Sequence, residues 1–119
     1  MKTFKYKQEN TLEQRKEESN RILKEYINRI PIICESAPKS QLPSLKKVKY
    51  LVPSDMTICQ FQFIIRRNLD LEEESALYLI TSKNITLTGD RTVMEIYNTY
   101  KDKEDNFLYL YYASELTWG

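Results

Sequence analysis

Hydrophobic residues are sparse in the first part of the chain. Residues 10–26 are highly charged, and Ile22, Leu23 and Tyr26 form only a narrow apolar stripe. Asn10 or Thr11 can cap a helix here, and the tetrapeptide Thr-Leu-Glu-Gln that begins at Thr11 has the pattern of a helix capping box. A helix with so narrow a stripe rests on the outside of a domain rather than inside it. We therefore predict a surface helix from about Thr11 to Tyr26.

Four later segments have the character of β-strands. Residues 29–35 are a β-branched run, residues 47–53 alternate between polar and apolar, and residues 77–81 and 107–112 are apolar runs. Pro31 cannot donate a ladder hydrogen bond, so its nitrogen side must face an edge or a gap. Because residues 107–112 are apolar on both faces, we predict that they form a central strand.

Two helices are predicted between these strands. Residues 54–57 open the first, which carries apolar residues at helical spacing: Ile58, Phe61, Ile64, Ile65 and Leu69. Residues 92–95 cap the second, a short helix. Residues 36–46 contain prolines and serines and are predicted to be a loop. Without the leading helix, this order of elements is that of the α+β fold of ubiquitin, the β-grasp.

Length and composition are those of one globular domain. A chain of 119 residues can bury one core, and 41% hydrophobic with 29% charged residues is an ordinary balance. No apolar run approaches the roughly 18 residues of a membrane span, and the N-terminus has no signal-peptide stretch. We therefore expect a cytosolic protein with a single domain over residues 1–119. We divide it into an N-terminal helical extension, 1–27, and a β-grasp core with a C-terminal tail, 28–119.

The chemistry open to the chain is narrow, because it contains no histidine. Histidine is the usual general base near neutral pH and the usual partner of a Ser or Cys nucleophile. The acidic residues fall in solvated runs such as 72–74 rather than in a catalytic pair, and two glycines cannot form a glycine-rich phosphate loop. We therefore expect no enzymatic activity, no cofactor and no metal site.

Cys34 and Cys59 each lie inside an apolar segment. In a cytosolic chain with two cysteines, reduced thiols are the first expectation, and the spacing matches no zinc motif. We predict that both side chains face the core as small hydrophobic groups.

The charge is unevenly distributed although its net value is +1. Residues 1–60 carry twelve Lys and Arg against seven Asp and Glu, whereas residues 61–119 carry six against ten. A basic N-terminal half favours acidic partners. The net charge is too low to make nucleic acid the first expected partner.

Residues 29–35 and 49–55 resemble the autophagy ubiquitin-like modifiers, most closely the branch of the GABA-receptor-associated protein. The resemblance covers nearly the whole chain and includes the N-terminal helical extension. Its further motifs are Gln60-Phe61, Ile65-Arg66, residues 74–77, Ile96-Tyr97, residues 107–109 and Trp118-Gly119. It implies a β-grasp with a four-stranded mixed sheet.

The resemblance also implies a conjugation cycle that ends at Gly119. An activating enzyme and a conjugating enzyme pass this glycine to the amine of phosphatidylethanolamine on the autophagosome membrane, and a cysteine protease reverses the step. Glycine has no Cβ to obstruct a narrow enzyme channel. The lipid supplies two acyl chains, which anchor a protein stably where one does not. The protein is then expected in the cytoplasm and, after lipidation, on autophagosomes and related vesicles.

The resemblance further implies a site for cargo receptors that carry aromatic-x-x-Leu/Ile/Val motifs with acidic residues before them. The peptide adds a strand beside residues 47–53. The pocket for its aromatic residue is formed by Glu18, Ile22, Pro31, Lys49, Leu51 and Phe107. The pocket for its aliphatic residue is formed by Tyr50, Val52, Pro53, Met56, Phe61 and Ile64. Arg29, Lys47 and Lys49 face the acidic residues. Core packing is the alternative for each apolar member, and solvated strand charge is the alternative for the lysines.

Three departures from the family pattern bear on these expectations. Ile27-Asn28 stands where Pro-Asp is usual, and we expect it to lengthen the preceding helix, since proline normally stops it. Asn68 stands where an arginine usually contacts the peptide. Asn106 replaces a glycine before residues 107–109 and is expected to tolerate a left-handed backbone there.

Two other functions remain open at this level. The first is a trafficking or microtubule-associated adaptor that uses the same pockets without conjugation, with its basic N-terminal helix on tubulin or an acidic receptor tail. Such an adaptor would not need Gly119. The second is RNA binding by the rings of Phe107, Tyr109 and Tyr111, although no basic platform surrounds them.

Overall fold

The computed structural model describes residues 4–115 of the chain. Its helices are α1 (Lys5–Glu9), α2 (Leu12–Glu25), α3 (Ile58–Asn68) and α4 (Val93–Tyr100), and its strands are β1 (Arg29–Ser36), β2 (Lys49–Pro53), β3 (Tyr78–Thr81) and β4 (Leu108–Ala113). The predicted order of elements is confirmed from α2 onward. Helix α1 was not predicted.

The strands form one sheet in the order β2-β1-β4-β3. β1 pairs with β2 and β3 pairs with β4 in antiparallel fashion, whereas β1 and β4 run parallel. The predicted mixed sheet and the central place of β4 are therefore confirmed. β2 and β3 are left at the two edges.

Pro31 lies on central strand β1 without losing a ladder bond. The Cys34 amide donates to the Val48 carbonyl at 2.8 Å, and strand amides alternate in direction, so the nitrogen of residue 31 points away from β2 and toward β4. The pairing of β1 with β4 begins only one residue later, at Ile32↔Leu108. The proline nitrogen therefore faces a gap, as predicted.

One face of the sheet packs against α3 and α4 in the larger core. Phe61 and Ile65 of α3 and Ile96 of α4 are completely buried there, together with strand residues such as Leu79. α3 and α4 each begin at a threonine capping box. Burial of each such side chain contributes about 1.5–3 kcal/mol, so this layer carries most of the hydrophobic stabilisation.

The other face of the sheet is covered by α1 and α2 over a smaller core of Phe4, Ile22, Ile33, Phe107 and Tyr109. α2 buries only Ser19 and Ile22 of its own residues, which confirms the prediction of a surface helix.

Helix α1 is held by contacts that local sequence does not reveal. Phe4 is buried and stacks on the Tyr111 ring at 4.2 Å between centroids. The backbone amides of Lys5 and Tyr6 donate to the Glu35 carboxylate at 2.8 and 2.9 Å. A helix of five residues is too short to be stable alone, so these tertiary contacts fix it.

Helix α2 is docked by a buried network centred on the Asp105 carboxylate. Its Oδ2 accepts from Arg15 Nε at 2.8 Å and from the Tyr109 hydroxyl at 2.5 Å, and its Oδ1 accepts from the Phe107 amide at 2.9 Å. The Ser19 hydroxyl donates to the Asp105 carbonyl. Burial, followed by the hydrogen bond to Asp105, raises the pKa of Tyr109. We call these five residues the Asp105 network.

Two predictions were wrong, whereas the prediction for Asn106, which replaces a glycine of the family pattern, is confirmed. α2 is not lengthened toward Ile27-Asn28 but ends at Glu25, because Tyr26 at its C-cap leaves the helical region with a φ of −115° and a ψ of 77°, and Asn28 follows with a φ of 71°. Cys34 is buried, and burial raises the pKa of its thiol, but Cys59 is exposed on the outer side of α3. Asn106 has a φ of 64°, as expected.

Candidate functional site

The outer edge of β2 presents backbone groups that no neighbouring strand uses. The Cys34–Val48 bond fixes the alternation, so Val48, Tyr50 and Val52 bond to β1 while the amides and carbonyls of Lys49 and Leu51 point outward. Within residues 4–115, no backbone group bonds to that outward side. Arg29 Nη1 donates to the Leu51 carbonyl at 3.1 Å.

The opposite edge of the sheet is covered. On β3, the Thr81 amide donates to the Ile85 carbonyl at 2.9 Å, and the Leu87 amide donates to the Leu79 carbonyl at 2.9 Å. The loop after β3 therefore occupies that edge. A free strand edge is a template for another extended chain, and β2 offers it over the described part of the molecule.

The structure brings together all the residues predicted for the aromatic pocket. Ile22 and Phe107 are completely buried, and Leu51 packs against the smaller core that contains them. Pro31 lies directly opposite Leu51 in the ladder and is buried. Glu18 and Lys49 stand partly exposed beside them. The pocket is therefore closed here, with a buried floor below a partly exposed rim.

An ion pair joins the two sides of that rim. Lys49 Nζ lies 3.3 Å from Glu18 Oε1, which also lies 2.5 Å from Arg21 Nη2. Partial burial raises the pKa of Glu18, but the hydrogen bonds and charges of Arg21 and Lys49 outweigh it and leave that pKa lowered. An open polar cleft of about 340 Å³ adjoins the pair, lined by Tyr6, Asn10, Gln14, Glu17, Glu18, Arg21 and Lys49.

Five of the six residues predicted for the aliphatic pocket belong to the larger core or pack against it. Tyr50, Val52 and Phe61 are buried in the larger core, with the Tyr50 and Phe61 rings edge to face at 5.5 Å. Met56 and Ile64 are partly exposed and pack against this core. Pro53 ends β2, and by strand alternation its side chain lies on the face of Leu51 rather than that of Tyr50.

Polar residues border this second cluster. Asn68 Nδ2 donates to the Tyr50 hydroxyl at 3.3 Å, and Lys47 Nζ lies 5.5 Å from the centre of the Tyr50 ring. Asn68, which stands where an arginine is usual, therefore bonds to the Tyr50 hydroxyl. Sequence reasoning missed this bond, because residues 50 and 68 are distant in the chain. It also missed Arg21, although the i, i+3 spacing to Glu18 was a usable signal.

The rings proposed for RNA stacking do not form an exposed platform. Phe107 and Tyr109 are buried under α1 and α2, and Phe4 stacks on Tyr111. Among residues 4–115, no cluster of acidic and cysteine side chains is suited to a metal ion, and no helix is long and apolar enough to span a bilayer.

The described elements have the architecture of a ubiquitin-like β-grasp, to which α1 and α2 are added on the sheet face opposite α3. The family profile described as "Autophagy protein Atg8 ubiquitin like" matches residues 14–119. The chain therefore belongs to the Atg8 family of ubiquitin-like autophagy proteins.

Similar proteins agree with this assignment. Autophagy-related protein 8 of Vanderwaltozyma polyspora is 45% identical over 115 residues, which cover 96% of this chain and 95% of that protein. Autophagy-related protein 8e of Arabidopsis thaliana is 42% identical over 114 residues, covering 96% and 92%. The crystal structure of Trypanosoma brucei ATG8 has a TM-score of 0.90 at 38% identity and covers 99% of this chain and all of that one. The predicted family and fold are confirmed.

Proposed function

We propose that this protein is a membrane-conjugated modifier that recruits partners through short extended peptides. Its C-terminal Gly119 is joined to phosphatidylethanolamine, and an aromatic-x-x-Leu/Ile/Val motif adds a strand to β2. The observation that carries the recognition half is the free edge of β2 between two apolar clusters. Membership of the Atg8 family supports the conjugation half.

The positions of the two clusters suit the spacing of that motif. Residues three apart in an extended chain point to opposite faces. Leu51 packs on the α2 side of the sheet and Tyr50 on the α3 side, so the clusters lie on opposite faces of β2. A peptide beside Lys49 and Leu51 would direct its aromatic residue to the first cluster and its aliphatic residue to the second.

Cations near this edge favour acidic residues in the ligand. Lys47 and Arg29 are exposed, and Lys49 is partly exposed. Two anchors at about 1.5–3 kcal/mol each, together with strand hydrogen bonds, must overcome the ordering of a flexible peptide. An affinity of about 1 μM follows, which suits exchangeable cargo receptors and adaptors.

Gly119 lies outside the described residues, so family membership and chemistry support its role. The family match extends through residue 119. The proposed partners are the activating and conjugating enzymes and a deconjugating cysteine protease, and the chain itself has no catalytic role. The proposed location of the protein is the cytoplasm and, after lipidation, autophagosomal membranes. We keep the proposed division into an extension, 1–27, and a core with its tail, 28–119.

Reconstitution tests the conjugation. The purified chain is incubated with the activating and conjugating enzymes, ATP and liposomes that contain phosphatidylethanolamine, and attachment is measured by flotation in high salt. The native chain should float with these liposomes and not with liposomes of phosphatidylcholine alone. The Gly119-deleted chain should stay unattached. Equal attachment of the deleted chain would refute the conjugation, and intact peptide binding without any conjugation would favour the adaptor alternative.

A truncation on the free edge tests the recognition. Leu51→Ala should weaken binding of an acidic Trp-x-x-Leu peptide at least fivefold, because the aromatic pocket loses a wall. Met94→Ala is the matched control, since Met94 is an apolar side chain, 39% exposed, on α4. If both variants bind the peptide as tightly as the native chain, the site is misplaced.

A further inference from the structure

The ion pair between Glu18 and Lys49 joins α2 to β2 at the rim of the aromatic pocket. Glu18 lies one helical turn before Ile22 on α2, and Lys49 lies two residues before Leu51 on the same face of β2. Ile22 belongs to the smaller core and Leu51 packs against that core, so the apolar floor and the ion pair at the rim join the same helix to the same strand. An aromatic side chain that enters between Glu18 and Lys49 to reach Ile22 and Phe107 would part this pair.

Glu18 and Lys49 differ in the ion pairs that remain to them when the bond between them is broken. Glu18 retains Arg21, whose Nη2 is 2.5 Å away and whose Nη1 is held at 3.1 Å by Glu25. Lys49 forms no other ion pair within the described residues. Opening the pocket therefore leaves the lysine unpaired and the glutamate paired.

We propose that the Glu18–Lys49 pair is a latch on the aromatic pocket and sets its preference for acidic ligands. The inference rests on the proposed peptide binding and adds a mechanism to it. A neutral ligand must break the pair without compensation. An acidic ligand gives Lys49 a replacement carboxylate while Arg21 keeps Glu18. A carboxylate in the ligand thus replaces the ion pair that Lys49 loses when the aromatic side chain enters. This gain is separate from the long-range attraction between the acidic ligand and the lysine.

The test compares two synthetic peptides, one with glutamates before Trp-x-x-Leu and one with glutamines in their place. Their affinities are measured by fluorescence anisotropy for the native chain, Glu18→Gln, Lys49→Gln and the double variant. Glu17→Gln is the matched control, because Glu17 lines the same cleft but forms no ion pair within residues 4–115. Thermal melts establish that each variant is folded.

The neutral peptide is the decisive probe, since direct attraction plays no part in its binding. Glu18→Gln and Lys49→Gln should each tighten it about two- to fivefold, the range expected for a partly exposed ion pair. The double variant should tighten it no further, because there is one latch to remove. Lys49→Gln should weaken the acidic peptide, so this single change has opposite signs on the two ligands.

Other results overturn the proposal. If Glu18→Gln binds the neutral peptide no more tightly than Glu17→Gln, or if Lys49→Gln weakens both peptides, the two residues are only pocket walls and the latch is refuted. If no variant and no native chain binds either peptide, the proposed recognition function fails, and the latch fails with it.

Discussion

Replacing Asp105 with asparagine should detach α2 from the sheet. The side chains of Arg15 and Asp105 are 12% and 0% exposed, so the change leaves a guanidinium nearly buried without its counterion. Removing one partner of a buried ion pair costs about 3–5 kcal/mol, and the asparagine can still accept one bond, so we expect the low end, about 3 kcal/mol. Native domains are usually stable by about 5–15 kcal/mol, so the loss would be large.

Urea denaturation, monitored by far-ultraviolet circular dichroism, gives the free energy of unfolding. Glu104→Gln is the matched control, because Glu104 is an exposed acid in the same loop and should change stability by less than about 0.5 kcal/mol. Hydrogen exchange then locates the damage. The amides of α2 should lose protection before those of β4, since α2 is held by the network and β4 is held between β1 and β3.

The same variant has a functional consequence, because α2 carries Glu18 and Ile22 of the aromatic pocket. Peptide binding should fall even under conditions in which the sheet stays folded. If Asp105→Asn is as stable as Glu104→Gln and binds peptide normally, the Asp105 network does not dock the helix and our account of α2 is wrong.

Three further predictions follow from the site and the charges. Changing Lys47 and Lys49 together to Glu should weaken an acidic peptide, and native affinity should fall with added salt; equal affinities at two ionic strengths would remove both lysines from the site. Burial raises the pKa of Asp102, but its hydrogen bond from a lysine of α1 and its backbone bonds outweigh burial and lower it. Asp102 therefore stabilises the fold above its unfolded pKa, and this stability should be lost as pH falls through the folded pKa, as acid titration of the melting temperature would show. A thiol reagent should label Cys59 quickly and spare Cys34 until unfolding; equal labelling would contradict their placement.

The elements that sequence predicts well are those whose own pattern decides them. The core face of α3 follows from helical spacing, and β2 follows from alternation. The prediction for Cys59 is wrong because its position around the helix decides its side: residues 58, 61 and 65 face the core, so residue 59 points away from it. That error was avoidable from the sequence.

Other features could not be found by pattern. Helix α1 depends on Glu35 and Asp102, and α2 depends on Asp105, so their partners lie far along the chain. At the site, the residues that the resemblance implies lie near one another, with Pro53 on the opposite face of β2 from its predicted pocket. The resemblance did not indicate that Lys49 is already paired or that Arg29 bonds to the Leu51 carbonyl. Such pairings depend on side-chain positions in space, which spacing along one strand does not encode.

The parallel pairing of β1 with β4 has a consequence for synthesis of the protein. These central strands come from the first third and the last part of the sequence, so β1 leaves the ribosome long before β4 exists. Until then its run from Ile30 to Cys34, buried on both faces in the finished sheet, has no partner on one side. Because such distant pairing must wait for the last strand and is slow to form, the nascent chain needs protection from aggregation during elongation. A chaperone that binds extended apolar segments should therefore associate with ribosome-bound chains truncated before residue 108 and dissociate once β4 is available.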